Sequence, residues 1–132
     1  MSYLIDTDTV SAHLKYPGKL TSRFLQYSGR LHLSVVTLGE LMSWTLRKNS
    51  APKYQEELMY FLADVQLLDV TPEIAQIFGS LRAELMDQGI VVSPMDMLIA
   101  ATALYHNLTL VTHNIRHFER MPGLNIMDWL ER

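Results

Sequence analysis

The chain has 132 residues, 48% of them hydrophobic and 19% charged, which suits one domain with one continuous core and excludes a disordered or collagen-like class. It has no cysteine, so disulfides, thiol nucleophiles and cysteine-held zinc are excluded and a reducing compartment is expected. The formal charge of −3 argues against a broad electrostatic grip on nucleic acid, so such a partner would need local basic contacts, metal ions or a basic companion.

Residues 3–5, Tyr-Leu-Ile, read as a short buried strand. The Asp6-Thr7-Asp8-Thr9 cluster stops it and starts a helix, because Asp and Thr side chains accept from the free N–H groups of a first turn. No basic stretch followed by a long apolar run marks a secretory leader here. Residues 31–36 are apolar and β-branched enough for a second strand, with a helix following over 38–46. Ala51-Pro52 begins another helix to about residue 64, with Leu58, Phe61 and Leu62 spaced for one face. A third strand is expected over 65–70.

Thr71-Pro72 opens a long amphipathic helix carrying Ile74, Ile77, Phe78, Leu81 and Leu85, and Gly89 ends it. Ser93-Pro94 starts a helix that is apolar almost all round, as a buried helix should be. Its apolar run, 97–104, is far shorter than the roughly 20 residues needed to cross a bilayer. Residues 109–112 form a fourth strand, 114–118 a short helix and 124–127 a last strand. Strands alternating with helices imply an α/β three-layer sandwich. Its parallel sheet of four to five short strands is covered on both faces, in a single domain over 1–132. A soluble cytoplasmic protein with no membrane association is expected.

The chemically informative feature is where charge is scarce. Asp6 and Asp8 are the only charged residues before Lys15; Glu40 stands alone between Arg30 and Arg47, and Asp96 alone between Asp87 and Arg116. Each acid follows a strand or opens a helix. In an open parallel sheet those positions share one edge, where ligands bind. Capping and the helix macrodipole explain any one of them, at roughly 0.5–2 kcal/mol. Three converging acids need more. Such carboxylates repel one another, and no Lys or Arg lies within five positions of Asp6, Glu40 or Asp96. A hard divalent cation, Mg²⁺ or Mn²⁺, resolves that repulsion, and phosphoryl transfer is the chemistry that uses such an ion. Thr112 and Asn114 follow the fourth strand toward the same edge.

These blocks resemble the PIN-domain ribonucleases, and within them VapC-type toxins. Leu4-Ile5-Asp6-Thr7-Asp8 is similar to the family's opening motif, Thr37-Leu38-Gly39-Glu40 to the second, and Ser93-Pro94-Met95-Asp96 to the third. Thr112-His113-Asn114 with the later Met121-Pro122-Gly123-Leu124 and Asp128-Trp129 completes the pattern end to end. The resemblance implies an endoribonuclease dependent on Mg²⁺ or Mn²⁺, cutting transfer RNA or another structured RNA. Asp6, Glu40 and Asp96 would be the metal acids and Asn114 a further catalytic position. It also implies a homodimer held inactive by a cognate VapB-type antitoxin, the pair forming a hetero-oligomer on operator DNA. Asp8 departs from the usual Asn, and Asn114 stands where many PIN domains carry a fourth acid.

Two other readings stay open. Asp6-Thr7-Asp8-Thr9-Val10 fits the start of haloacid-dehalogenase-like phosphohydrolases, with Asp6 as nucleophile and Asp8 as acid/base. That reading leaves Glu40 unexplained. A catalytically inert PIN-fold interaction protein is the other. His113, Arg116 and His117 are expected near the site, with a solvated surface as their simplest role, and packing is the simplest role of Trp44 and Trp129.

Overall fold

A computed structural model describes residues 1–130; positions 131 and 132 of the expected domain lie outside the described residues. Five strands form one all-parallel sheet: β1 (Tyr3–Ile5), β2 (Leu31–Ser34), β3 (Gln66–Leu68), β4 (Thr109–Val111) and β5 (Ile126–Met127). Their spatial order is β3-β2-β1-β4-β5. The chain therefore builds outward from β1 in one direction, then returns to add β4 on its other side. That reversal between β1 and β4 opens a crevice beyond their carboxyl ends, the usual ligand position in open α/β sheets.

Helices cover both faces. On one lie α1 (Thr7–Lys15), α2 (Thr21–Gln26), α3 (Val35–Thr45) and α4 (Lys53–Ala63), around a core that includes Tyr3, Ile5, Val10, Leu33, Leu41, Phe61 and Trp129. On the other, α5 (Pro72–Asp87), α6 (Pro94–His106) and α7 (Ile115–Phe118) pack with Leu4, Leu81, Leu85, Ile99, Leu110 and Phe118. Strand β1 explains why both cores exist: Tyr3 and Ile5 face one layer and Leu4 the other, and all three are buried. The α/β three-layer expectation holds, including the count of strands.

Three local outcomes differ from the sequence reading. Strand β2 ends at Ser34, not Val36, because the Ser34 hydroxyl accepts from the Val36 N–H at 3.1 Å and caps α3 there. Val35 and Val36 are thus helical despite their β-branching, and Glu40 sits midway along α3 instead of in its first turn. Helix α2, with the short 3-10 turn Pro17–Lys19 before it, had no expected counterpart; it lacks both a side-chain cap and a fully buried residue. Edge strand β3 is shorter than expected and mostly exposed, since only β2 pairs with it. Helix ends followed the chemistry closely. Gly89 (φ 72°) and Asn107 (φ 55°) take the left-handed conformation that lets the next N–H reach back to Leu85 and Ala103.

Among the described residues no helix is long and apolar enough to cross a membrane.

Candidate active site

The carboxyl ends of β1 and β4 supply the centre of the crevice. Asp6 follows β1 directly and caps α1, accepting the Thr7 N–H at 2.8 Å on Oδ1. Its other oxygen, Oδ2, accepts the Thr112 hydroxyl at 2.8 Å. Thr112 follows β4, so this bond ties the two strands at the switch point. The Asp6 side chain is almost wholly buried, with 3% relative exposure.

Asp8, the second residue of α1, accepts the His113 N–H at 3.0 Å and lies 3.5 Å from the Thr112 hydroxyl. It thereby pins the loop after β4 as well as adding charge beside Asp6. Glu40 reaches the same place from α3: the Thr7 hydroxyl donates to Glu40 Oε1 at 2.6 Å and stands 3.1 Å from the Thr37 hydroxyl. Asp96 is the third residue of α6, whose N-terminus must lie at this edge because a helix between parallel strands runs back against them. Its Oδ2 lies 2.8 Å from His117 Nδ1.

Charge in this pocket is poorly neutralised. Burial, then the neighbouring Asp8, push the Asp6 carboxyl up to about 7; the Thr112 and Thr7 hydrogen bonds oppose the rise, and Asp96 adds to it. The ion-pair contacts among the described residues are two His–Asp pairs, His117–Asp96 and His113–Asp128, each at 2.8 Å. Among the described residues no Lys or Arg meets an acid of the pocket at that range. The arrangement is a concentration of hard oxygen donors with little positive charge in reach.

The acids are gathered, but not yet around one point. Among the described residues no three carboxylate or imidazole groups stand at the spacing of a ready metal cage. Each acid instead takes its own donor: Asp6 takes Thr112 and Thr7, Glu40 takes Thr7, and Asp96 takes His117. Like charges favour such separation. Asn114 is present at the rim and exposed; its N–H donates to Thr112 Oγ1 at 3.0 Å, and its side chain makes no hydrogen bond among the described residues.

Thr7, Thr37 and Thr112 connect the acids, yet isolated threonines carry no distinctive sequence signal. Two histidines also take part, since His117 touches Asp96 and His113 touches Asp128. Trp129 behaves as packing, stacked on Tyr27 with ring centroids 5.4 Å apart.

Comparisons with known proteins point to one family. Residues 3–124 match the PIN domain family model. The chain is 34% identical over 131 residues to the tRNA(fMet)-specific endonuclease VapC of Salmonella typhimurium, covering 98% of each chain. It is 31% identical to ribonuclease VapC2 of Rickettsia felis, again covering 98% of each. Among solved structures it resembles the DNA-bound VapBC of Salmonella typhimurium, with TM-score 0.92, 32% identity and 98% coverage of both chains. It also resembles VapBC2 of Rickettsia felis bound to a promoter DNA fragment, with TM-score 0.89, 28% identity and coverage of 98% and 99%.

Proposed function

This chain belongs to the PIN domain family, within its VapC group, and from that premise we propose that it is a metal-dependent endoribonuclease and the toxin of a toxin–antitoxin pair. The observation that supports the catalytic half is that Asp6, Asp8, Glu40 and Asp96 lie along the sheet edge at the β1–β4 switch point, with no Lys or Arg ion pair to any of them among the described residues. The PIN match along 3–124 displaces the phosphohydrolase alternative built on Asp6 and Asp8.

The donor set fits a hard divalent cation, Mg²⁺ or Mn²⁺. It is all oxygen and anionic, and it has a buried member, Asp6, whose proton affinity is raised first by burial and then by the Asp8 charge beside it. Asp6, Glu40 and Asp96 would hold the ion. When bound, it supplies positive charge to phosphodiester oxygens and acidifies water. The chain's own groups do the rest. The Thr112 and Thr7 hydroxyls fix the Asp6 and Glu40 carboxylates in place. Asn114, at the rim, offers an amide that can order water or accept a contact from RNA. Burial of the β1–β4 junction keeps these groups in a low dielectric, where each contact counts for more. Structured RNA, transfer RNA included, is the proposed substrate, by likeness to the named relatives.

The proposed partner is a VapB-type antitoxin, the two forming a hetero-oligomer on operator DNA, with this chain itself a homodimer in a single domain over 1–132. A cleft of about 530 Å³ between α1, α2 and α4 supports a protein partner. Leu14, Phe24 and Phe61 line it, and Leu25 and Tyr60 at its mouth are 72% and 76% exposed. Large exposed apolar side chains around a groove are a feature of partner-binding surfaces. Glu57 and Asp64 on its lining suit a basic partner.

Protein freed of any partner should cut structured RNA with Mg²⁺ or Mn²⁺, stop on chelation, and lose at least 100-fold in rate as Asp96→Asn with its fold intact by circular dichroism. Cation binding without turnover on any RNA would favour the inert reading instead.

A further inference from the structure

Residues 41–55 contain three basic side chains and no acid, in a chain whose net charge is −3. The fold adds a fourth. Lys15, at the end of α1, places Nζ 4.8 Å from the centre of the Trp44 ring on α3. Trp44 and Tyr54 lie with ring centroids 4.9 Å apart, inclined at 42°, and Lys53 Nζ stands 5.1 Å from the Tyr54 ring centre. Cation, ring, ring and cation thus follow one another across α1, α3 and α4, with Arg47 and Lys48 beside them in the α3–α4 connection. All four cations are exposed, both rings are half-buried, and among the described residues none of the four cations makes an ion pair.

The strip is continuous with the acidic pocket. Trp44 lies one helical turn beyond Glu40, on the same side of α3. Lys15 lies eight residues beyond Thr7, whose hydroxyl holds Glu40, a rise of about 12 Å along α1. A basic, aromatic surface beside a cluster of acids separates two tasks that one surface cannot perform. The acids repel phosphate until neutralised, whereas the strip attracts it.

We propose that Lys15, Arg47, Lys48 and Lys53, with the Trp44 and Tyr54 rings between them, form the docking strip for the RNA strand flanking the scissile phosphate. The inference rests on the nuclease reading for the identity of the bond cut. RNA is favoured over an acidic peptide because two adjoining ring faces lie between the cations. Ammonium groups that now cover those faces can exchange them for phosphates and free the rings to stack on bases. With phosphates about 3.4 Å apart along a stacked strand, 12 Å corresponds to three or four nucleotides beyond the site.

The test uses the exposed pair, as Arg47→Glu/Lys48→Glu, with Lys15→Glu as a second variant. On a structured RNA, KM should rise about tenfold or more with kcat unchanged. In chelator, fluorescence anisotropy on the same RNA should show the salt slope of binding shallower by about 1.4 for the double variant, at about 0.7 per lost phosphate contact. A substrate with fewer than three nucleotides on that side should be cut equally by all proteins. Unchanged KM and salt slope would overturn the strip and leave the nuclease reading standing, as would loss of an acidic protein partner with RNA affinity intact. Wild-type protein that binds RNA with the expected slope but cuts none would keep the strip and remove the nuclease.

Discussion

The Thr112 hydroxyl donates to Asp6 Oδ2 at 2.8 Å, joining the end of β4 to the end of β1 across 106 positions of sequence. Its single proton is spent there, while its oxygen accepts from the Asn114 N–H at 3.0 Å. Thr112→Val keeps the shape and removes both interactions. Leaving a buried carboxylate and an N–H without their partner costs about 1–3 kcal/mol. The Asp6 carboxyl should move still higher, so the acid limb of the RNA-cleavage profile should shift upward in pH and activity at pH 7 should fall about tenfold. Thr112→Ser should restore both. A pH–rate profile for the three proteins checks this; an unmoved acid limb in the valine variant would refute it.

Asp6 also sets how stability changes with pH when no cation is present. Its carboxyl lies near 4 in an unfolded chain and about 7 in the fold. The folded state therefore holds the proton more tightly, and the contribution favours folding at low pH and is lost as pH rises from about 4 through 7. In chelator, the melting temperature of wild type should fall relative to Asp6→Asn across that window and level off above it. Added Mg²⁺ or Mn²⁺ at pH 8 should raise the wild-type melting temperature and leave Asp6→Asn unmoved, because only a carboxylate that binds the ion links it to folding. Thermal melts at pH 5, 6, 7 and 8 decide the point.

His117 Nδ1 sits 2.8 Å from Asp96 Oδ2, and the imidazole is otherwise half exposed. Its role is to orient Asp96, in the manner of the outer groups that fix a ligand carboxylate. His117→Ala should lower RNA cleavage about tenfold and weaken cation binding by a similar factor, within the range typical of such partners. His117→Asn should recover most of both, since the asparagine amide can occupy the place of Nδ1, whereas His117→Gln should not. Equal behaviour of the Asn and Gln variants would show that the contact carries no positional information.

Much of this protein is legible in its sequence because the causes are local. Tyr3-Leu4-Ile5 alternates between two apolar layers; Thr71-Pro72 and Ser93-Pro94 open helices, and Gly89 closes one. Solitary acids after strands and near helix starts announce chemistry because a lone charge in an apolar segment is costly unless something uses it. Where local signals conflict, the sequence misleads. Val35 and Val36 favour a strand by type, but the Ser34 cap and the end of pairing at Ser34–Leu68 make them helical, which moves Glu40 to mid-helix.

What only the tertiary structure decided is which groups meet. Strand order puts β4 beside β1, so Thr112 reaches Asp6 and the His113 N–H reaches Asp8. Packing of α1 on α3 gives Glu40 to Thr7 and Lys15 to Trp44. These partners lie tens of residues apart, and no periodicity or cap encodes them. The sequence by itself determined the family, the layers and the acids, because burial and capping act over a few residues. The hydroxyl network and the cationic strip arise from long-range pairing, in which the free energy of the whole sheet chooses the neighbours.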